Sequence, residues 1–256
     1  EVHGREAGRQ VIIEKRLTGY ELSILALVSE RSILTLPASQ DHKRAFDNDE
    51  GPNTGGMGAY SPAPNCSPEI LGNIEEDVLV PTVHAMRRAR HPFSGLLYAG
   101  LMMTNQGPRV LEFNCRFGDP EAQPVLMRLK SDFAELLMAA VEGRLDSLPD
   151  NAVEWDPRPS LCVVMASGGY PGRYEKGHRI SGLDRVALLP DVKVFHAGTT
   201  YEDGAVRTNG GRVLGVTALG DTMEEARKRA YEAVEEISFV GAFYRKDIGN
   251  QAIPTE

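Results

Sequence analysis

Hydrophobic and polar positions switch between two periods along this chain. Val11–Glu14 (VIIE) is a short apolar run that reads as a buried strand. Lys15–Gly19 interrupts it. Glu21–Val28 (ELSILALV) then alternates as a second strand, and Arg31–Leu36 reads as a third, joined to the second through Ser29-Glu30 in an antiparallel sheet. Ser67-Pro68 supplies an N-cap and a first-turn proline ahead of Ile70, Leu71, Ile74, Val78 and Leu79, a stripe at helical spacing. Pro81 is predicted to kink that helix, and the polar run Arg87–His91 to end it. Gly95–Met103 and Arg109–Asn114 form a hairpin around Asn105-Gln106-Gly107. A capping box at Asp132 and Glu135 starts a second helix that runs to about Gly143.

The pattern changes after that helix. Leu145–Arg158 is polar, holds Pro149, Pro157 and the single Trp155, and marks a boundary that divides the chain into 1–149 and 150–256. Beyond it come strands at Leu161–Ala166, Lys193–Ala197 and Gly211–Leu219, with loops at Ser167–Gly172 and Thr208–Arg212. A helix over Thr222–Ile237 follows, opened by a Thr222/Glu225 capping box. The fold class is α+β: an antiparallel sheet with helices, then a smaller α+β unit. No internal repeat or low-complexity segment is present.

Composition narrows the classes of function. A hydrophobic fraction of 41% over 256 residues supports a real core. Net charge −8 and a pI near 5.4 argue against nucleic acid as a partner but leave room for a locally basic phosphate pocket. The three cysteines, Cys66, Cys115 and Cys162, are odd in number and lack metal spacing, so they read as reduced thiols in a cytoplasmic protein. No apolar run approaches the roughly 18 residues that span a bilayer, and no membrane partner is expected. The start carries no signal-peptide pattern. Glu1–Gln10 is polar, has no initiator Met and leads straight into a strand pattern, so further sequence upstream is expected.

The candidate chemistry centres on Glu112–Pro124, EFNCRFGDPEAQP. Alternation along a strand puts Glu112 and Asn114 on one face and sends Leu111 and Phe113 into the core. A carboxylate and an amide oxygen two residues apart suit Mg²⁺. Arg116 follows on the same side, and Gly118-Asp119-Pro120 turns the chain. A cation site beside a fixed guanidinium is what phosphoryl transfer needs. The plainer reading is an edge strand with a solvated Glu, an Asn and a turn. Glu14 and Glu21 read equally well as surface carboxylates or as ligands. Asp41-His42-Lys43-Arg44 precedes Gly51–Gly58 (GPNTGGMG), whose glycines let several backbone N–H groups approach one anion. That loop matches neither the Walker A spacing nor GxGxxG. A flexible surface loop is the alternative, and Lys43 and Arg44 tilt the balance towards anion binding. His196 reads as a strand histidine and Met102 and Met103 as core; Tyr170 and Tyr174 fit a structural role better than the alternative, lining the substrate side.

The stretches VIIEKRLTGYELS, LPASQDHKRAFDNDEGPNTGGMGAYSPAP, LLYAGLMM, VLEFNCRFGDPEAQP, VVMASGGYPGRYEKG, VFHAGT, TNGGRVLGVTALG and FYRKDIG cover nearly the whole chain. In them the chain resembles the glycinamide ribonucleotide synthetase (phosphoribosylamine–glycine ligase) family of the ATP-grasp superfamily. The resemblance implies that 1–149 is the second half of an ATP-grasp domain and 150–256 the C-terminal domain of the ligase. It implies ATP-dependent ligation of glycine to 5-phosphoribosylamine through a glycyl phosphate, in de novo purine synthesis, with Mg²⁺ (or Mn²⁺) as the metal. By the same resemblance, Glu14, Lys15, Arg16 and Leu17 hold the adenine and Glu21 the ribose. Glu112 and Asn114 hold the metal, and Arg116 and Asp119 act at the acyl phosphate. Asp41, Lys43, Arg44, Asn53, Thr54, Gly55, Gly56, Met57, Gly58 and Gly118 lie on the glycine and phosphoribosylamine side.

Two departures from the wider pattern stand out. Tyr98–Leu101 lacks the further metal-ligating acid of many ATP-grasp enzymes, which is normal for this family. The family's N-terminal domain, glycine-rich flap and phosphate-binding lysine have no counterpart in these residues. The alternative expectation is therefore a fragment that folds and binds ligands without turning over. A third reading, an ATP-grasp ligase for a different carboxylate, fits the motifs less well.

Overall fold

The computed structural model describes residues 11–30, 32–149 and 151–253. The polar lead Glu1–Gln10, and Arg31 at the start of the expected third strand, lie outside them. In chain order the first elements are β1 (Tyr20–Ser29), β2 (Ser32–Thr35), β3 (Gln40–Asp41), β4 (Arg44–Phe46), β5 (Glu50–Asn53) and β6 (Gly58–Ser61). Next come α1 (Pro68–Ile74), α2 (Val80–Arg88), β7 (Ser94–Thr104), β8 (Gly107–Asn114), α3 (Ala122–Met127), α4 (Phe133–Val141) and β9 (Ser160–Ala166). The chain continues through α5 (Leu183–Val186), β10 (Val192–His196), β11 (Thr199–Glu202), β12 (Ala205–Thr208), β13 (Arg212–Leu219) and α6 (Met223–Glu236).

A four-stranded antiparallel sheet runs β2-β1-β7-β8. β1 is buried on both faces, and its alternation feeds two cores. Leu22, Ile24, Ala26 and Val28 face Ile74, Leu79 and Val83 of the α1–α2 layer. Leu25 and Leu27 face Val125, Leu136 and Ala139 of α3 and α4. Ser67 Oγ accepts from the Ile70 N–H, Asp132 from Ala134 and Glu135, and Thr222 from Glu225, so each cap read from the sequence is in place. The break expected at Pro81 is a π-helical turn, Glu75–Leu79, just ahead of it. Thr82 Oγ1 takes up the Val78 carbonyl there, at 2.6 Å.

A five-stranded sheet runs β10-β13-β9-β6-β3 and packs on α6, where Ala226, Ala230, Ala233 and Val234 are buried. β6 pairs with β9, Gly58 opposite Val163 and Ser61 opposite Ser160. Strands on the two sides of the expected 149/150 boundary therefore share one sheet. A hairpin, β11–β12, stands ahead of the loop read at Thr208–Arg212, over residues to which the sequence reading assigned no element. Among the described residues no helix is long and apolar enough to cross a membrane.

Two expectations about burial fail. Val11–Glu14 is irregular and open to solvent, with Ile12 and Ile13 89% and 90% exposed. An apolar run becomes a buried strand only where a neighbour covers it, and none of the described residues does so. Leu111 and Phe113 are 39% and 41% exposed rather than core. β8 is the sheet edge, and a register shift opposite Gly100/Leu101 leaves Leu111 as a bulge.

Candidate active site

Beyond the bulge, Glu112 pairs with Gly100 and Asn114 with Tyr98, so both side chains project from the same end of the edge strand. The chain then turns through Cys115–Pro120 into α3. From the other side β3 brings Asp41, and the loop after β5 brings Thr54 and Gly55. These elements enclose a cavity of about 240 Å³ lined by Asp41, Lys43, Thr54, Gly55, Tyr98, Glu112, Asn114, Arg116, Gly118, Asp119 and Glu121. A second cavity of about 310 Å³ adjoins it across Asp41 and Lys43 and includes Glu21, His42, Arg44 and Asn53. A wider groove of about 1000 Å³, between Phe46–Pro52 and Gly168–Gly172, carries none of this cluster.

Lys43 sits between acids. Its Nζ is 3.3 Å from Glu21 and 3.9 Å from Glu112. Burial works against its charge, but Glu21, Asp41 and Glu112 together raise its pKa above the usual lysine value. Asp41 is held well above the ordinary carboxylate range, first by burial and then by the Glu121 charge. The His42 N–H and Lys43 pull the other way, the former donating to Asp41 Oδ1 at 2.6 Å. Glu121 is itself buried and accepts from Ser23 Oγ at 3.1 Å, beside the Tyr98 hydroxyl. Burial, and then the Glu121 charge, push the Tyr98 phenol up. His42 is pushed down to about 4, by burial and then by the Arg245 charge. Neither of its ring nitrogens has a hydrogen-bond partner among the described residues.

The glycine-rich loop is tied down rather than loose. Thr54 Oγ1 donates to the Lys43 carbonyl and accepts from the Gly56 N–H, at 2.9 and 3.0 Å. Gly56 has φ +115°, and a Cβ there would lie 2.7 Å from Asp41 Oδ1, so only glycine fits. Arg44 Nη1 donates to the Gly51 carbonyl at 2.6 Å. Arg116 donates to the Phe117 carbonyl at 2.9 Å, at the cavity rim. Asp119 accepts from Gln123 at 3.0 Å.

The structure thus brings together Glu21, Asp41, Lys43, Arg44, Asn53, Thr54, Gly55, Glu112, Asn114, Arg116, Gly118 and Asp119 along two adjoining cavities. Met57 and Gly58 are buried and line neither; they clasp the His42 main chain instead, at 2.8 and 2.9 Å. Gly56 packs behind the lining, against Pro120 and Asp41. Glu14, Lys15, Arg16 and Leu17 stand apart in the irregular segment before β1 and line neither cavity. Sequence reasoning missed Glu121, Tyr98 and Arg212; Tyr170, given a structural role there, ties down Gly55. Glu121 was within reach, being the acid that directly follows Gly118-Asp119-Pro120.

The fold is that of the ATP-grasp class. The biotin carboxylase domain of a thermophilic 2-oxoglutarate carboxylase shares it at a TM-score of 0.63 and 14% identity, over 87% of this chain and 48% of that one. The chain belongs to the phosphoribosylglycinamide synthetase family. Residues 1–122 match the family model "Phosphoribosylglycinamide synthetase, ATP-grasp (A) domain", and residues 160–251 match "Phosphoribosylglycinamide synthetase, C domain". The phosphoribosylamine–glycine ligase of Rhodopirellula baltica is 57% identical over 249 residues, 97% of this chain and 56% of that protein. The ligase of Allochromatium vinosum is 56% identical over 251 residues, 98% and 58% of the two chains. The crystal structure of phosphoribosylamine–glycine ligase from Thermotoga maritima superposes at a TM-score of 0.78 with 36% identity, covering 92% of this chain and 57% of that one. The chain spans 56% and 58% of the length of these two curated relatives.

Proposed function

We propose that the protein bearing this sequence is an ATP-dependent carbon–nitrogen ligase that joins glycine to 5-phosphoribosylamine. A glycine carboxylate oxygen attacks the γ-phosphorus, ADP leaves, and the amine nitrogen then attacks the acyl carbon, expelling phosphate and losing a proton. The product is glycinamide ribonucleotide. The observation that carries this reading is the convergence of Glu112, Asn114, Lys43, Arg116, Asp119, Asp41 and Glu121 on one cavity of about 240 Å³. The substrates supply carboxylate and amine, so no protein nucleophile is needed.

In this reading Glu21 and Lys43 face the ribose and phosphates, and Glu14–Leu17 lie against the adenine. Glu112 and Asn114 fit a divalent cation of the Mg²⁺ type and would hold it: they offer two hard oxygens from one strand end, opening into the cavity. When bound, Mg²⁺ or Mn²⁺ neutralises charge on the phosphate oxygens. Arg116 stabilises the negative charge of the acyl phosphate. Asp41, Arg44, Asn53 and the Thr54–Gly58 loop, with Gly118 and Asp119, hold glycine and the amine substrate. Residues 1–149 carry the nucleotide face and 150–256 the C-terminal domain, and the reaction runs in the cytoplasm. The test is glycine- and phosphoribosylamine-dependent ADP release by the protein at its full genomic length. Release with another carboxylate and none with glycine would sink the proposal.

A second reading is that residues 1–256 alone fold and bind ligands without turnover, supported by their covering 56% and 58% of the relatives. Robust glycine-dependent ADP release by the 256-residue chain would overturn it.

A further inference from the structure

Arg212 opens β13, yet its guanidinium leaves that sheet. Nη1 donates to the carbonyls of Gly55 at 2.7 Å, Gly56 at 3.3 Å and Asp119 at 2.5 Å. Nη2 pairs with the Asp119 carboxylate at 3.3 Å. One side chain from residues 150–256 therefore joins the glycine-rich loop to the Gly118–Pro120 turn, although it lies 157 residues from Gly55 and 93 from Asp119.

The surroundings fix where that guanidinium points. β13 shifts register against β9 between Arg212 and Leu214, a bulge of the kind that re-aims a side chain. The turn ahead of it is clamped: Ser167 Oγ donates to the Gly210 carbonyl at 2.9 Å, and a Cβ on Gly198 would lie 2.6 Å from Gly210 Cα. On the receiving side, a Cβ on Gly55 would lie 2.8 Å from Arg212 Cζ, so the glycine is what lets the fork reach main chain. The Tyr170 hydroxyl accepts the Gly55 N–H at 3.0 Å, a second tie from the C-terminal residues. Arg212 itself does not line the 240 Å³ cavity. Its contacts are main-chain carbonyls of the two walls and the Asp119 carboxylate.

We infer that Arg212 is a positioning residue for the amine-transfer half of the reaction. It sets the separation between the loop beside Asp41 and the turn that carries Asp119, and so the width of the cleft for the non-nucleotide substrates. This rests on the ligase reading above. The nucleotide side is not braced this way, since Glu21 and Glu112 meet Lys43 and not Arg212.

The test compares the full-length protein with Arg212→Ala and Arg212→Lys. Hydrogen exchange of the ligand-free protein should speed up about tenfold at Gly55–Met57 in Arg212→Ala, with β1 and β7 unchanged. The kcat/KM for glycine and for the amine should each fall about 100-fold, the cost of an ångström-scale misplacement, while KM for ATP stays within about threefold. Arg212→Lys keeps the charge but loses the fork and should fall between wild type and Arg212→Ala. Added guanidinium chloride should restore part of the Arg212→Ala rate. Unchanged exchange at Gly55–Met57, or an equal rise in KM for ATP, would overturn the inference. Should Arg212→Ala not fold, Tyr170→Phe removes only the acceptor of the Gly55 N–H. It should speed exchange at Gly55 and raise KM for the same two substrates, and no change in either would overturn the inference too. If wild type shows no glycine-dependent ADP release, the ligase reading fails, and the exchange data alone decide the positioning.

Discussion

Replacing Arg245 by Met should destabilise the protein by about 3 kcal/mol, within the range for breaking a buried ion pair by removing one partner. The side chain is 1% exposed. Its Nε and Nη2 make a bidentate pair with Asp247, both at 2.7 Å. Nη1 reaches Asp49 at 2.8 Å and the Arg44 carbonyl at 3.2 Å. Met keeps the apolar stem and removes the fork. Asp49 is 53% exposed and can turn to water, so its share is small, at most about 1 kcal/mol. Asp247 is 18% exposed and would be left as a largely desolvated carboxylate, which accounts for most of the rest. At about 2–4 °C per kcal/mol for a chain of this size, the melting midpoint should fall by roughly 6–12 °C. Urea unfolding should show a lower midpoint with unchanged m. The same ion pair sets an acid limit. Asp247 is held down to about 2, burial opposing and Arg245 prevailing. A depressed carboxylate stabilises fully above its unfolded pKa of about 3.9, and that stability is lost as pH falls through about 2. Arg245→Met should flatten the stability profile in that window. A loss below about 1 kcal/mol, with the acid slope intact, would show that solvent already screens the pair.

On the ligase reading, Glu112→Gln in the full-length protein should lower kcat by about 100-fold or more with little change in nucleotide affinity; an unchanged kcat would remove Glu112 as a metal ligand. His42 should titrate near 4 by NMR rather than near 6.5, because burial disfavours its charged form. Its folded pKa is lowered, so its contribution is present above about 6.5 and fades as pH falls towards 4. Thiol labelling of the native protein should modify exposed Cys115 first, and Cys162 only on unfolding, since burial pushes that thiol up to about 12.

Local chemistry was readable from the sequence, and remote chemistry was not. Ser67, Asp132 and Thr222 cap helices through atoms two or three residues away, so spacing alone reveals them. Glu112, Asn114, Arg116 and Asp119 share one stretch of chain and converge on one cavity. The Arg212 and Tyr170 contacts span 157 and 115 residues, beyond the reach of any periodicity. Val11–Glu14, Leu111 and Phe113 went wrong for one reason: an apolar side chain is buried only if something lies over it, and that is a tertiary fact. The pairing of β6 with β9 was equally hidden, because a four-residue strand can dock on any open edge.

That pairing also limits how the molecule can be cut. β9, SLCVVMA, is buried at every position, flanked by β13 on one side and β6 on the other. Expressed alone, residues 150–256 would leave one side of β9 as an unpaired, uncharged and mostly apolar edge, with nothing charged to stop a second copy from adding to it. Such a piece should aggregate. A piece that keeps residues 40–61 should not, because β6 is the gatekeeper strand for that edge.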